Sequence, residues 1–269
     1  MSAFNITLGQ FIPGNTCIHR LDPRTKIVCM ILFILLIFLV SRIELFLLPT
    51  ILLVLMFVLA KVPVSYLGSS LKPMRVLLIF MFLINLFFTP GTDILFSWRF
   101  ITITRESLRQ AVFISIRLIL LIAGTSMLTL TTSPLSLTDG IERMLNPLKV
   151  FHFPAHELAM MMTIALRFIP TLMEETDRIQ KAQMARGADF ESGNLFARAK
   201  AMIPILVPLF VSAFRRADEL ATAMESRCYH GGEGRTRMTQ LHFHVSDLIA
   251  VLILAGFLAA CILFQAFLP

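Results

Sequence analysis

Five apolar runs constrain the fold of this chain more than any other feature of its sequence. They lie at residues 27–40, 45–60, 76–88, 110–130 and 245–268. A helix needs about 20 mostly apolar residues to cross a bilayer, and fewer where the membrane is thinned. Because 57% of the 269 residues are hydrophobic and only 15% are charged, a water-soluble core of this size could not bury them. The sequence therefore predicts an all-α membrane protein with about five transmembrane helices.

The connections between these runs carry their own signals. The first two runs are joined only by SRIE at residues 41–44, which predicts an antiparallel helical hairpin. Residues 61–75, KVPVSYLGSSLKPMR, mix apolar and polar positions, as is typical of a segment lying on the membrane surface. Residues 94–104, ILFSWRFITIT, are aromatic and β-branched, which predicts a small strand pair or an interfacial loop.

The distribution of cations predicts the orientation in the membrane. Cytoplasmic loops carry an excess of lysine and arginine, so we interpret the net charge of +7 as topology and not as a nucleic-acid surface. The first loop holds only Arg42, whereas the third loop holds Arg99, Arg105 and Arg109, which weakens the contrast. The N-terminal flank and the second loop hold three cations each: Arg20, Arg24, Lys26, Lys61, Lys72 and Arg75. These counts predict a multi-pass protein of the plasma membrane with a cytoplasmic N-terminus and, after five crossings, a C-terminus outside.

The segment between the fourth and fifth runs is neither a loop nor a series of spans. Its apolar residues recur at helical spacing over 158–179 and again over 203–224, which predicts two long amphipathic helices. Pro170, Pro204 and Pro208 fall inside them and predict bends or breaks, because proline removes a backbone donor. A shorter helix over 133–148 precedes them. The chain is thus divided into an N-terminal transmembrane region (1–132), a helical region (133–244) and a C-terminal transmembrane helix (245–269).

Both long helices are expected to finish on an arginine. The first ends in MARGADF, with Ala185, Arg186 and Gly187, and the second ends in MESRCYHGG, with Ser226, Arg227 and Cys228. Capping is one interpretation, since a cation suits the negative end of a helix dipole and glycine supplies a left-handed cap. The other is a pair of guanidinium groups presented to carboxylates of a partner, which arginine binds in a bidentate manner.

At these residues the chain resembles a known family, the transmembrane coupling proteins (T components) of energy-coupling factor transporters. The resemblance runs from IPGNTCIHRLDPRTK at residues 12–26, through MARGADF, to ADELATAMESRCYHGGEGRT at residues 217–236. That family carries two Ala-Arg-Gly signatures at the ends of cytoplasmic coupling helices. Ala185–Gly187 matches outright, whereas Ser226 replaces alanine and Cys228 replaces glycine, so no glycine is available for a cap at the second end.

The resemblance implies a function. In the family the two signatures dock into grooves on two ATP-binding-cassette ATPases, and the helices cradle a small substrate-binding membrane protein, the S component. The chain would then be a non-catalytic subunit of an ATP-driven importer of vitamins or other micronutrients in a prokaryote. It would hold no cofactor of its own, because the ATPase subunits bind ATP, and it would bind no nucleic acid.

Residues that would contact the S component follow from the same interpretation. Methionine makes adaptable binding surfaces, and this suits a subunit shared by several partners, although plain core packing explains a methionine run equally well. The candidates are Met160, Met161, Met162, Leu206 and Phe210.

Two other classes of protein are alternatives to this function. A self-contained channel or secondary carrier would transport alone, but the runs show no inverted repeat. An intramembrane metalloprotease is suggested by HELAM at 156–160, but Met160 stands where the second zinc-binding histidine is needed. GGEGRT at 231–236 lacks the lysine of a phosphate-binding loop, so we interpret it as a turn. The four scattered cysteines indicate neither a disulfide framework nor a metal site.

One charge falls inside a predicted span. Arg117 lies within the fourth run, where an arginine costs roughly 2.5 to 3.5 kcal/mol on insertion scales, so a lipid-facing position is unfavourable. It either lines a substrate route or is bonded to a helix carbonyl or to Asn85 inside the bundle.

Overall fold

A computed structural model describes residues 11–98, 101–151, 153–190, 192, 194–231 and 242–267. Beyond Gly231, the GGEGRT turn lies outside the described residues. Contacts divide the chain into two units: the first comprises residues 1–140 and 240–269, and the second comprises residues 141–239. The three-segment division at 132 and 244 stays a prediction.

The chain is almost entirely helical, as the sequence predicts. Short 3₁₀ segments at Ile43–Phe46 and Asn146–Phe151 precede the helices that begin at Leu47 and Ala155. The main elements are α1 (Cys17–Arg20), α2 (Pro23–Leu39), α3 (Leu47–Ala60), α4 (Val64–Leu71), α5 (Arg75–Phe88), β1 (Ile94–Trp98), β2 (Ile101–Thr104), α6 (Arg105–Thr131), α7 (Pro134–Leu145), α8 (Ala155–Ala185), α9 (Leu195–Glu225) and α10 (Val245–Phe267).

Helices occupy all five positions of the apolar runs, and the all-α membrane class is confirmed. Within the described part of the chain, three helices are long and apolar enough to cross a membrane: Ile43–Ala60, Arg105–Thr131 and Val245–Ala266. A fourth crossing results if α4 and α5, which meet at a bend of 65°, form one broken span. The count is lower than five because α2 has 17 residues and α5 has 14, at or below the shortest usual span.

The short elements before α6 fix where that helix begins. β1 and β2 form the predicted strand pair, antiparallel, with Trp98 opposite Ile101 and Ile94 opposite Thr104. The Ser107 amide donates to Thr104 Oγ1 over 3.1 Å, and the Thr104 amide donates to Ser107 Oγ over 3.0 Å. This reciprocal capping box satisfies two free donors at the helix start.

The core of the first unit is built around α2. Phe33, Leu36 and Ile37 are almost fully buried and pack with Met127 and Leu130 of α6. Gly124 of α6 permits the close approach, because a Cβ atom there would lie 2.3 Å from the Phe33 ring. Close packing of this kind replaces the hydrophobic driving force, which is absent between helices in lipid.

Buried polar groups hold the N-terminal end of α2. Asp22 caps the helix, accepting from the Arg24 amide over 2.9 Å, and its own amide donates to Asp247 Oδ1 of α10 over 2.8 Å. Lys26 Nζ donates to the His19 carbonyl over 3.0 Å and to the Thr131 carbonyl of α6 over 2.9 Å. Asp22, Lys26 and Asp247 are all buried, so this N-terminal knot (residues 12–26 with Thr131 and Asp247) joins three helices.

His19 closes the chain segment that precedes α2. Its Nε2 lies 3.1 Å from the Ile12 carbonyl, which only accepts, so Nε2 carries the hydrogen and Nδ1 accepts from Thr16 Oγ1 over 2.7 Å. Burial lowers the pKa of His19, which agrees with this neutral tautomer. Gly14 is pressed against the ring, since a Cβ atom there would lie 2.8 Å from it.

The other end of α2 is held by side chains from α6 and α10. Arg117 donates to the Val40 carbonyl over 2.8 Å, and its guanidinium lies 4.6 Å from the centre of the Phe113 ring. Gln265 Nε2 donates to the Leu39 carbonyl. The interpretation of Arg117 as bonded to a helix carbonyl is confirmed, whereas Asn85 as its partner is wrong, because Asn85 donates to the Met81 carbonyl of its own helix.

The second unit contains the two predicted amphipathic helices. α8 and α9 have 31 residues each, and both continue through their prolines, so Pro170, Pro204 and Pro208 mark no break. α7 precedes them at the predicted place. Of the described hydrophobic residues of this unit, only Ala155, Ala159 and Ile205 are buried.

Candidate functional site

The first arginine motif ends α8 in a Schellman motif. The Gly187 amide donates to the Met184 carbonyl and the Ala188 amide to the Gln183 carbonyl, both over 3.0 Å. Gly187 has φ +90°, the left-handed conformation that glycine adopts without strain. Arg186 occupies the residue before it, at the C-cap of the helix.

The second arginine motif ends α9 in the same way without a glycine. The Cys228 amide donates to the Glu225 carbonyl over 2.9 Å, and the Tyr229 amide donates to the Met224 carbonyl over 3.0 Å. Cys228 has φ +56°, although a left-handed residue with a Cβ atom costs about 1 to 2 kcal/mol. The left-handed cap is therefore formed at both ends, and at the second end Cys228 takes the place of glycine, so a glycine cap is absent there as the sequence indicates.

The six motif residues are exposed: Ala185, Arg186, Gly187, Ser226, Arg227 and Cys228. Backbone amides cap the helix carbonyls, so neither arginine side chain is needed for that bonding. Within the described part of the chain, neither guanidinium takes part in a salt bridge. Each therefore keeps its planar set of donors available for a carboxylate.

α8 packs against α9, and the Glu175 carboxylate joins the two helices. Ser212 Oγ donates to Glu175 Oε1 over 2.9 Å, and Arg216 donates to Glu175 Oε2 over 2.7 Å. These hydrogen bonds, from Ser212 first and then Arg216, lower the pKa of the Glu175 carboxyl. We call these three residues the Glu175 clamp.

The two arginines lie at equal distances along their helices from the clamp. Eleven residues separate Glu175 from Arg186 on α8, and eleven separate Arg216 from Arg227 on α9. Eleven residues make about three helical turns and about 16 Å, so each arginine lies near the helix face that carries its clamp residue. The two ends are thus equivalent in cap, in exposure and in distance from the crossing.

The candidate partner surface is apolar and exposed. Met161 and Met162 are 53% and 54% exposed, and Leu206 and Phe210 are 42% and 60% exposed. Met160 beside them is half-buried. The exposed methionines pack no core within this unit, so of the two interpretations of the methionine run only a surface role fits Met161 and Met162. Which molecule they contact stays a prediction.

Comparison with known proteins places this arrangement in a family. The sequence pattern of the cobalt transport protein family (CbiQ) matches residues 14–238, which include both arginine ends, the clamp and most of the knot. The chain is 54% identical over 250 residues to the energy-coupling factor transporter transmembrane protein EcfT of Acidaminococcus fermentans, covering 93% of each chain. It is 53% identical to that of Clostridium kluyveri, covering 92% of each. The EcfT of Bacillus subtilis is 47% identical over 257 residues, covering 94% of this chain and 97% of its own.

The chain belongs to the CbiQ family. Within it, the curated relatives are transmembrane components of energy-coupling factor transporters, so the chain is a membrane-embedded transporter component of the EcfT type. The prediction of the family from the sequence is confirmed.

The sequence of this CbiQ family member did not reveal the three residues that join α8 to α9. Glu175, Ser212 and Arg216 are ordinary polar positions of amphipathic helices, and their pairing depends on how the helices cross. The Asp22-Pro23 pair did carry a signal, since an acidic N-cap before proline is a common helix start. His156 of the HELAM stretch lies 3.1 Å from Glu142 Oε1, so it joins α8 to α7.

Proposed function

We propose that this chain is the transmembrane coupling subunit of an ATP-driven importer. Two ATP-binding-cassette subunits would bind the helix ends at Arg186 and Arg227, and an S component would bind the substrate. The observation that carries the proposal is the pair of equivalent, exposed helix ends whose guanidinium groups hold no partner among the described residues. The names of the curated relatives support the transporter, the resemblance to T components implies the ATPases and the S component, and the geometry supplies the two exposed arginines.

The chemistry of the two ends suits docking into acidic grooves. A guanidinium binds a carboxylate through two parallel hydrogen bonds, which fixes direction as well as distance. When two ATPase subunits close on ATP, two such contacts would make both helix ends follow them. The chain itself would perform no catalysis, and it would need no cofactor because ATP stays in the partner subunits.

The exposed apolar surface of α8 and α9 suits the S component. Met161, Met162, Leu206 and Phe210 would lie against apolar helices of that partner, with half-buried Met160 at the edge of the contact. Vitamins or other micronutrients are the proposed substrates, and they would be selected by the partner.

The orientation is part of the proposal, and two native cysteines test it. Cys17 and Cys228 are exposed, whereas Cys29 and Cys261 are buried. With a cytoplasmic N-terminus and four crossings before residue 133, the 17-residue α2 among them, both exposed thiols should react with a membrane-impermeant maleimide in inverted vesicles and not in right-side-out vesicles. Cys17→Ser and Cys228→Ser variants assign the two signals. Labelling of Cys228 from outside would contradict the model.

The function itself is tested by removing the arginines. In a complex reconstituted with ATPases and S component, we expect Arg186→Ala and Arg227→Ala each to weaken ATPase binding, and the double variant to abolish uptake. A desolvated contact of this kind is worth roughly 2 to 5 kcal/mol, much of it from the acid left unpaired. Lysine at either position should rescue poorly because it lacks the planar fork.

Matched controls come from exposed cations of the same helices. Lys181→Ala on α8 and Arg198→Ala on α9 should leave assembly and uptake unchanged. Normal assembly and uptake by the double arginine variant would overturn the proposed function. Uptake by the purified chain alone would favour a self-contained carrier.

A further inference from the structure

The Glu175 carboxylate, which joins α8 to α9, accepts hydrogen bonds from α9 at both of its oxygens. Oε1 accepts from Ser212 and Oε2 accepts from Arg216, four residues later on α9. Residues four apart lie on one face of a helix, so the two donors approach Glu175 from the same side. Two bonds to two different oxygens fix the rotation of the carboxylate as well as its position.

On each helix the prolines lie before the clamp residue, and none lies between it and the arginine. Pro170 lies five residues before Glu175, and Pro208 lies four residues before Ser212, whereas no proline follows on either helix as far as its arginine. A proline inside a helix removes one backbone hydrogen bond and clashes with the preceding turn, so it is a local weak point. The stretches from the clamp to Arg186 and to Arg227 are therefore uninterrupted arms of about three turns each.

We propose that the Glu175 clamp is the positioning element that locks these two arms into one body, so that ATPase movement at both arginines reaches the apolar halves of the helices beyond the prolines. The inference rests on the proposed function. Without the clamp the arms would still end in exposed arginines and would still dock. Each would then follow its own ATPase subunit, and ATP would be hydrolysed with less substrate moved.

A second ion pair on α9 provides a matched control. Arg215 Nε lies 3.4 Å from Glu219 Oε1, with side chains 82% and 67% exposed, and both residues belong to the same helix. The Arg216–Glu175 pair is more enclosed, at 36% and 27%. Removing Glu219 deletes an equal charge nearby without touching the crossing.

The experiment measures substrate uptake per ATP hydrolysed in proteoliposomes that contain the full complex. Glu175→Gln and Arg216→Gln should leave assembly and ATP hydrolysis near normal and lower uptake per ATP by roughly fivefold, the scale of a partly exposed ion pair. The charge swap of Glu175→Arg with Arg216→Glu should recover much of the loss. Glu219→Gln should change nothing. Unchanged uptake per ATP in Glu175→Gln, or loss equal to that in Glu219→Gln, would overturn the proposal.

A measurement on the isolated chain separates failure of the clamp from failure of the proposed function. Spin labels at Lys181→Cys and Thr222→Cys, on exposed positions of the two arms, report the distance between them in a background without the native cysteines. Glu175→Gln should broaden the distance distribution, whereas Glu219→Gln should not. A distribution as narrow as in the parent chain would show that other contacts hold the arms, whatever the arginine variants do to uptake.

Discussion

The two units of the molecule treat charge and apolar surface in opposite ways. In the first unit Asp22, Lys26 and Asp247 are buried and hydrogen-bonded, and the exposed apolar side chains lie mainly on helices suited to lipid. In the second unit the arginines at the helix ends are exposed, and large apolar side chains are exposed on helices that also carry charge. The first unit pairs Asp22, Lys26 and Asp247 internally, whereas the second exposes two arginines that another protein could bind. Stability is therefore expected to depend on the first unit, and partner binding on the second.

The largest effect on stability should come from the knot. Lys26→Met removes the donor of a buried carbonyl at Thr131 and of a half-buried one at His19, and leaves both without that partner. We expect a loss of about 3 kcal/mol in the free energy of unfolding, measured by denaturant titration in detergent, since each buried unpaired group costs about 1 to 3 kcal/mol. Lys72→Met, at an exposed position, should change stability by less than about 0.5 kcal/mol. Equal losses in the two variants would remove the contrast between buried and exposed charge.

An intermediate effect is expected at the two helix ends, with opposite signs. Gly187→Ala places a Cβ atom on a left-handed residue and should destabilise its helix end by about 1 kcal/mol, while Cys228→Gly removes one and should stabilise its end by a similar amount. No atom lies within 4 Å of the position a Cβ would take at Gly187, so the effect there is conformational and not steric. Amide hydrogen exchange at Ala188 and Tyr229 measures the stability of the two helix ends. Changes of the same sign would mean that the caps are not equivalent.

The smallest effect on stability should be at the apolar surface, where the effect on binding is large. Leu206→Glu alters an exposed side chain and should shift the free energy of unfolding by no more than about 0.5 kcal/mol. It should weaken association with the S component, measured by co-purification, while ATPase association stays intact. Met161→Glu should behave alike. Loss of both partners together would indicate unfolding of the unit.

The elements that depend on local sequence were predictable. Apolar runs became helices, and the aromatic and β-branched stretch became a strand pair. The 3.6-residue period over 158–179 and 203–224 predicted α8 and α9, although α8 ends six residues later and α9 begins eight residues earlier than these stretches. The prolines were predicted to bend or break the helices, but no helix breaks, because helices this long retain their other hydrogen bonds. The Schellman bonds likewise hold Cys228 left-handed despite its side chain.

What the sequence could not provide was the pairing of distant residues. Asp22 and Asp247 are separated by 225 positions, and Glu175 and Arg216 by 41. Each pair depends on which helix faces pack together. The same limit applied to Arg117, for which the sequence offered several partners and the packing of α2 against α6 selected one.

The hydrogen bond from Arg117 to Val40 also bears on the order in which α2 and α6 are synthesised and inserted into the membrane. Val40 precedes Arg117 by 77 residues, which a ribosome adds in about 4 to 15 s. The acceptor carbonyl and the Phe38 ring, 5.7 Å from the guanidinium, are therefore synthesised well before the arginine leaves the ribosome. The end of α2 can thus be in the membrane before Arg117 arrives. If α6 enters beside α2, its arginine binds the Val40 carbonyl and does not enter lipid unpaired.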